Sequence, residues 1–240
     1  MKILFLTFTL FFSLSINAQN LTAIYKQNIE FPEMEKPTDE KNAKRYERRL
    51  HLLNETKILT NELEYKLMVN GNTSTFSLKR IMNKDGAHHL MSLANIYSKG
   101  VFYNDNSDKR RIWNVEAFGD NYIVNLPTLE WNIHNERKII KGYTCNKAVT
   151  KRTSYSNGKK FEKDIIAWFT SEIPVSHGPV GYSGLPGLIV QLEIVDRVFT
   201  LEKIDNYVKK PTKEPKNGKK IDLKEYYVLF EKANNNFSSN

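Results

Sequence analysis

The sequence predicts a mainly β protein: a curved antiparallel sheet, or half-barrel meander, with one peripheral helix. Three observations carry that expectation. Turn signals recur at close intervals, at Asn70-Gly71, Lys84-Asp85-Gly86, residues 104–108, Gly119-Asp120-Asn121 and Ser156-Asn157-Gly158. Between them lie short runs rich in aromatic and β-branched residues, without the long helical periods that alternating βα units require. The composition, 40% hydrophobic and 12% aromatic over 240 residues, supplies enough apolar surface for a core and excludes wholesale disorder.

The chain opens with a segment expected to be removed. Met1-Lys2 gives a positive start, residues 3–14 are almost continuously apolar, and Ser15, Asn17 and Ala18 form a small, polar end. That pattern reads as a signal peptide over residues 1–18, cleaved between Ala18 and Gln19. The apolar run falls short of the ~20 residues of a membrane span, and nothing later approaches that length. Export to the periplasm, the outer membrane or the medium is the expected localisation. Residues 19–232 then read as a single β-rich domain, and residues 233–240 as a disordered tail.

Residues 21–31 alternate well enough for a first strand, ended by Pro32. Residues 33–57 are dense in charge and read as a helical or disordered insertion. Thr38 and Asp39 offer N-caps, and Ala43, Tyr46, Leu50 and Leu53 recur at helical spacing, which predicts a peripheral helix over 39–54. From Leu63 the period changes to two: Leu63, Tyr65, Leu67 and Val69 share a face, Asn70-Gly71 turns, and Phe76, Leu78 and Arg80 return. Further strands are expected at 100–103, 111–118, 122–126, 130–134, 139–144, 165–170, 188–194 and 199–204, with a turn near Asp196-Arg197. Residues 209–220 read as a basic loop, and 221–232 as a last strand or short helix.

The single cysteine excludes an intrachain disulfide, a cysteine-based zinc site and a C-x-x-C redox pair. Cys145 is expected to lie buried on one strand face with Tyr143, as a small hydrophobe. In Leu185-Pro186-Gly187-Leu188 the pattern fits a type II turn, with Pro186 fixing φ and Gly187 taking positive φ. Gly178-Pro179 and Gly181 supply a second bend, so a compact loop packed across the sheet is expected, with Tyr182 and Leu185 as plugs. The same Gly-rich turns permit close backbone approach by a ligand or partner.

One stretch carries a resemblance. It runs from Trp131-Asn132-Ile133 through Gly142-Tyr143-Thr144-Cys145, Ala167-Trp168-Phe169-Thr170 and Ile173-Pro174-Val175. It then continues through Gly178-Pro179 to Gly184-Leu185-Pro186-Gly187-Leu188-Ile189. In the order of these motifs the chain resembles the GLPGLI family, exported proteins of Gram-negative bacteria named for that hexapeptide. Two positions depart from the family pattern. Residues 154–164 are a longer, lysine-rich replacement for a short turn, and His177 stands where an acidic residue is common. The resemblance implies a compartment and no biochemical activity. The frequent neighbourhood of such genes to outer-membrane TonB-dependent receptors implies an envelope or uptake role.

Catalytic and metal signatures are sparse. Gly181-Tyr182-Ser183 nearly begins a G-x-S-x-G elbow, but Leu185 stands where the last glycine belongs. His88-His89, His134 and His177 are the candidate metal ligands, although neighbouring histidines on a strand would point to opposite faces. No cofactor, no metal and no catalytic residue is expected. The basic excess, 36 Lys+Arg against 27 Asp+Glu, gathers at Lys159, Lys160, Lys163 and along 209–220. No nucleic-acid motif accompanies it, so an anionic envelope surface or an acidic protein loop is the expected partner, beside plain solvated loops. The expected function is a non-enzymatic envelope protein, accessory to an outer-membrane receptor or transport system. A carrier sheltering an apolar ligand in the curved sheet, and an undetected peptidase or other hydrolase, remain as alternatives. A large apolar cavity would favour the carrier, a filled interior the accessory, and a cleft with a perturbed titratable group near Ser183 or His177 the enzyme.

Overall fold

The computed structural model of the protein describes residues 20–31, 35–79, 88–205 and 212–238. The leader, the Ala18/Gln19 site, Arg80 and the Lys84-Asp85-Gly86 turn lie outside the described residues. The elements in order are β1 (Leu21–Ile29), α1 (Glu40–Glu62), β2 (Glu64–Asn70), β3 (Thr73–Leu78), α2 (His88–Ala94), β4 (Val101–Asp105), β5 (Arg110–Ala117) and β6 (Asp120–Asn125). They continue with β7 (Asn132–Ile140), β8 (Tyr143–Ser156), β9 (Lys159–Thr170), β10 (Leu188–Ile194), β11 (Arg197–Asp205), β12 (Lys219–Asp222) and α3 (Leu223–Ser238).

The protein is mainly β, as expected. Among the described residues twelve strands form one open sheet in the order β12-β6-β5-β4-β3-β2-β1-β11-β10-β9-β8-β7. Every pairing is antiparallel except β12 beside β6, which is parallel. Short turns make most of the neighbours. Phe118-Gly119, Lys141-Gly142 and Asn157-Gly158 each carry positive φ at both central residues, the backbone that matches strand twist in a two-residue hairpin. The first hairpin turns one residue later than expected. Asn70 pairs with Thr73, so Gly71-Asn72 make the loop and Gly71 alone takes positive φ.

Magnitudes show that the sheet curls. β6 and β8 stand second and eleventh in the strand order. Nine spacings of a flat sheet would part them by roughly 43 Å. Yet α3 packs on both, and a 16-residue helix is only about 24 Å long. Its neighbours Tyr226 and Tyr227 divide the work. Tyr226 lies 4.7 Å from Trp113 on β5 and 6.4 Å from Tyr122 on β6, while Tyr227 lies 6.1 Å from Tyr155 on β8. The two ends of the sheet therefore approach to within side-chain reach of one helical turn.

Aromatic side chains fill the middle of the sheet. On β2, Tyr65, Leu67 and Val69 are buried in strict alternation, continuing from Leu63. Tyr65 stacks on Phe76 at 5.5 Å, and Tyr25 and Phe199 meet Phe76 edge-on at 6.2 and 6.0 Å. The buried hydroxyls have partners: Tyr25 donates to the Ile189 carbonyl (2.6 Å) and Tyr65 to Asn95 Oδ1 (2.5 Å).

Several sequence expectations are corrected. The peripheral helix runs to Glu62, well past 54, because its last two turns dock: Thr56, Leu59 and Thr60 are buried and Leu50 is exposed. Thr56 and Thr60 return their hydroxyls to the carbonyls of Leu52 and Thr56, both at 2.7 Å, which lets poor helix formers remain helical. Of the two offered caps, Asp39 is used; its Oδ1 accepts from the Asn42 N–H at 2.9 Å. Two further α-helices join it. In α2, His88-His89 are helical rather than extended, and the last carbonyls are met from distant strands: Leu93 accepts from Arg197 (3.1 Å) and Ala94 from Gln27 (2.9 Å). Residues 221–232 divide into the end of β12 and the start of α3, which continues through the expected tail to Ser238. The expected strand 139–144 is instead a hairpin with Lys141-Gly142 at its turn. The lysine-rich residues 154–164 are paired strand rather than loop, extending β8 and β9 into a long arm. The turn before β11 is Val195-Asp196, and Arg197 begins the strand.

The difference between the packed centre and the projecting arm is measurable. Phe76→Ala should lower stability by about 3–5 kcal/mol, whereas Phe161→Ala, at a residue 49% exposed on the arm, should stay within about 0.5 kcal/mol of the parent. Urea midpoints of the two variants check this.

Candidate functional site

Between β9 and β10, residues 171–187 form a strap that leaves the sheet and returns to the strand it left, since Leu188 pairs with Thr170. Along the way it reaches β3, β4 and β5, on the other side of the curl. Its tip is a 3-10 turn, Pro179–Gly181, in which Val180 and Gly181 take φ of 54° and 70°. The strap thus delivers Val180, Tyr182 and Leu185 to the core, and Tyr182 and Leu185 are the plugs the sequence suggests.

Close approach fixes the strap at two glycines. At Gly187 a Cβ would stand 2.0 Å from the Thr170 carbonyl oxygen, and φ is 152°. Its N–H donates to the Leu185 carbonyl at 2.8 Å, closing a three-residue turn around Pro186 in place of the expected type II turn. The physical demand for glycine is met differently: contact with β9 dictates it, more than the turn does. A Cβ on Gly178 would fall 2.6 Å from Ile189. Within the hexapeptide Leu185, Gly187, Leu188 and Ile189 are buried, while Gly184 and Pro186 face solvent.

The remaining motif residues serve this strap or the strands beside it. Trp131 Nε1 donates to the Ser183 carbonyl at 2.9 Å and its ring meets Tyr182 edge-on at 6.2 Å. Ser176 Oγ donates to the Leu185 carbonyl at 2.5 Å, and Asn106 Nδ2 donates to the Ser176 carbonyl at 2.9 Å. Pro174 is exposed between buried Ile173 and Val175. Trp168 bonds Glu193 at 3.0 Å, with Lys138 Nζ 4.0 Å from its ring centre. Gly142 takes φ 86° in its hairpin turn. Cys145 is fully buried, Tyr143 packs partly buried on the same core, and burial pushes the thiol up to about 11, away from the reactive thiolate.

His177 is the perturbed titratable group. It is 1% exposed, bridges to Ser183 through the backbone, and lies 3.4 Å from Asn106 through Nε2, while Nδ1 is unpartnered among the described residues. Burial drives its imidazole down to about 4, with the Gly71 backbone and then Asp105 pulling the other way. Neither His177 nor Ser183 is among the residues walling the clefts described below, and Ser183 occupies an isolated bridge, not a strand-to-helix elbow. The candidate metal ligands do not meet: His88 and His89 lie on α2, His134 on β7 and His177 in the strap. Among the described residues no group of three or more His, Cys, Asp or Glu side chains is placed to hold a metal ion.

A cleft does open where the strap, β5, β8 and α3 meet. It holds about 80 Å³ and is walled by Ile96, Tyr97, Phe102, Trp113, Leu126, Leu129, Val180, Tyr182, Leu223 and Tyr227, with Arg111, Lys151 and Arg152 among them. Arg111 donates Nε to the Gly181 carbonyl at 3.1 Å and a terminal nitrogen to the Pro127 carbonyl, and lies over Tyr182 at 5.5 Å. Desolvation without a balancing carboxylate lowers its guanidinium to about 10. Arg152 lies over Tyr97 at 4.9 Å and donates to the Tyr227 hydroxyl at 3.2 Å. Composition gave no sign of these two arginines; the only signal available was basic residues set among aromatic strand runs. Beside the cleft is a wider hollow of about 880 Å³ whose lining includes Glu130, His134, Lys160, Glu162 and Asp164.

Two outcomes test the strap. Gly187→Ala should cost about 2–4 kcal/mol from steric conflict with β9, and Leu188→Ala roughly 2–5 kcal/mol from lost burial. Pro186→Ala, at an exposed site, should cost under about 1 kcal/mol. Urea midpoints give the order directly. For His177 the folded state resists a proton that the unfolded chain accepts near pH 6.5. Its contribution is therefore complete above pH 6.5 and is lost as the pH falls toward about 4, by up to roughly 3 kcal/mol. His177→Gln should flatten the pH dependence of the urea midpoint across that window; an unchanged slope would assign it to other groups.

Comparisons with known proteins follow this geometry. A model of the family described as "Protein of unknown function (Porph_ging)" matches residues 151–191, which comprise the arm from Lys151, the strap and the start of β10. No curated protein matches the chain. Among solved structures, that of PNGF-II is similar at 16% identity and a TM-score of 0.50, over 90% of this chain and 33% of that one. The chain thus spans about a third of the length of PNGF-II, and at this identity the likeness concerns the fold alone.

Proposed function

We propose that the protein is an exported, non-catalytic component of the Gram-negative envelope, of the GLPGLI type, serving as an accessory to an outer-membrane receptor or transport system. The observation that supports this reading best is the filled interior of the curl. Tyr25, Tyr65, Phe76, Phe199, Tyr182 and Leu185 occupy the space in which a lipoprotein-style carrier would house an acyl chain. The cleft left beside them holds about 80 Å³, and the wider hollow is lined by charged groups. Work done by such a molecule falls to its surface, through contact with a partner chain.

The leader pattern of residues 1–18 and the order of motifs from Trp131 to Ile189 supply the compartment in this proposal. Cross-linking in intact envelopes, followed by mass spectrometry of the purified adduct, tests it. The expected result is a chain beginning at Gln19 joined to an outer-membrane receptor subunit. Co-purified long-chain lipid without a protein partner would favour the carrier, and a retained Met1 with recovery from the cytoplasm would overturn the reading.

A further inference from the structure

We propose that the cleft between β5, β8, the strap and α3 is a binding site for a small aromatic carboxylate. The argument begins with charge. The cleft is lined by Arg111, Lys151 and Arg152 and by no acidic residue. Lys151 has a partner in Asp164 at 3.3 Å. The two arginines have none among the described residues: Arg111 meets two carbonyls and a ring, and Arg152 a phenol and a ring.

A guanidinium carries five N–H donors, so most of those on both arginines remain uncommitted. Both are half-buried, and partial removal of a cation from water carries a cost that an anion would offset; every group answering these two is neutral. Elsewhere in the chain exposed cations do find acids, as Lys219 does at Asp120 (2.6 Å) and Arg110 at Glu214 (3.1 Å). In this cleft two arginines stand together among aromatic walls with only neutral groups against them.

The walls decide the rest of the ligand. Aromatic rings, Trp113 and Tyr227 among them, dominate the wall, and the small volume suits a ring rather than a long chain. A planar carboxylate matches a guanidinium fork in bidentate fashion, and the ring behind it would pack against the apolar wall. The two arginines are already held over Tyr97 and Tyr182, so binding would immobilise little that is not ordered in advance. This inference stands independently of whether the protein serves a receptor, since it rests on the cleft alone.

Benzoate is the probe, with benzyl alcohol as its neutral counterpart and acetate as the anion without a ring. Titration of the purified protein is followed by calorimetry and by tryptophan fluorescence, Trp113 being part of the wall. Saturable binding of benzoate is expected, with a Kd in the millimolar to micromolar range for a ligand of this size, and the other two probes about tenfold weaker or more. Arg152→Gln should weaken benzoate about tenfold while leaving the melting transition close to that of the parent, because among the described residues its side chain gives one hydrogen bond, to the Tyr227 hydroxyl, and is only half-buried. Arg111→Lys, which keeps the charge and loses the fork, should weaken it as well and serves as the second variant if the first is unstable. Failure of benzoate to saturate, equal binding of benzyl alcohol, or unchanged affinity in both variants would each overturn the assignment.

Discussion

A sheet that curls until its ends nearly meet must fill the space it encloses, and here the strap of residues 171–187 does much of that filling. The strap is possible because it closes on its own strand. Gly187 lies so near the Thr170 carbonyl that no side chain fits between them, and Gly178 is pressed against the Ile189 side chain. With both glycines in place, the chain leaves β9, crosses to β3, β4 and β5, and returns in register for β10. Tyr182 and Leu185 then enter the core as if they came from another layer. A sheet of this size has no second sheet to pack against, and the strap supplies the missing face.

The same closure explains the cleft. The strap tip sits on β5 through the Arg111 contact to Gly181, and α3 spans the remaining opening from β6 to β8. Where tip, helix and strands converge, the fit is incomplete, and the space is walled by the aromatic side chains that hold the ends together. Tyr226 and Tyr227 act as a latch across the gap, one toward β5 and β6 and one toward β8. Arg111 and Arg152 stand at that junction, each stabilised by a ring and by neutral oxygens. Cation–ring contact of this sort is worth on the order of 1–2 kcal/mol when desolvated, which offsets only part of the cost of removing a guanidinium from water.

The buried polar groups follow a different logic from those in the cleft. Tyr25, Tyr65, Gln27 and Arg197 direct donors to backbone carbonyls or to Asn95, and in doing so bind α2 and β10 to the central strands. His177 belongs with them. It is buried and set beside Ser183 in the strap, and burial disfavours its charged form, so its protonation bears on stability.

Local chemistry in the sequence determined the strands and most of the turns. Period-two alternation placed Tyr65, Leu67 and Val69 on one face, Asn157-Gly158 set the arm's turn, and Gly187 declared a position that rejects a side chain. These are readable because a strand face or a positive φ is a property of a few adjacent residues. Tertiary structure decided the rest. The length of α1 depends on where Leu59 and Thr60 dock, and the end of α2 on carbonyl partners 67 and 104 residues away. The parallel seat of β12 beside β6 and the bridge made by α3 join segments about a hundred residues apart. The arginine cleft is of the same kind: residues 111, 152, 182 and 227 share no spacing rule, and they meet only because the sheet curls.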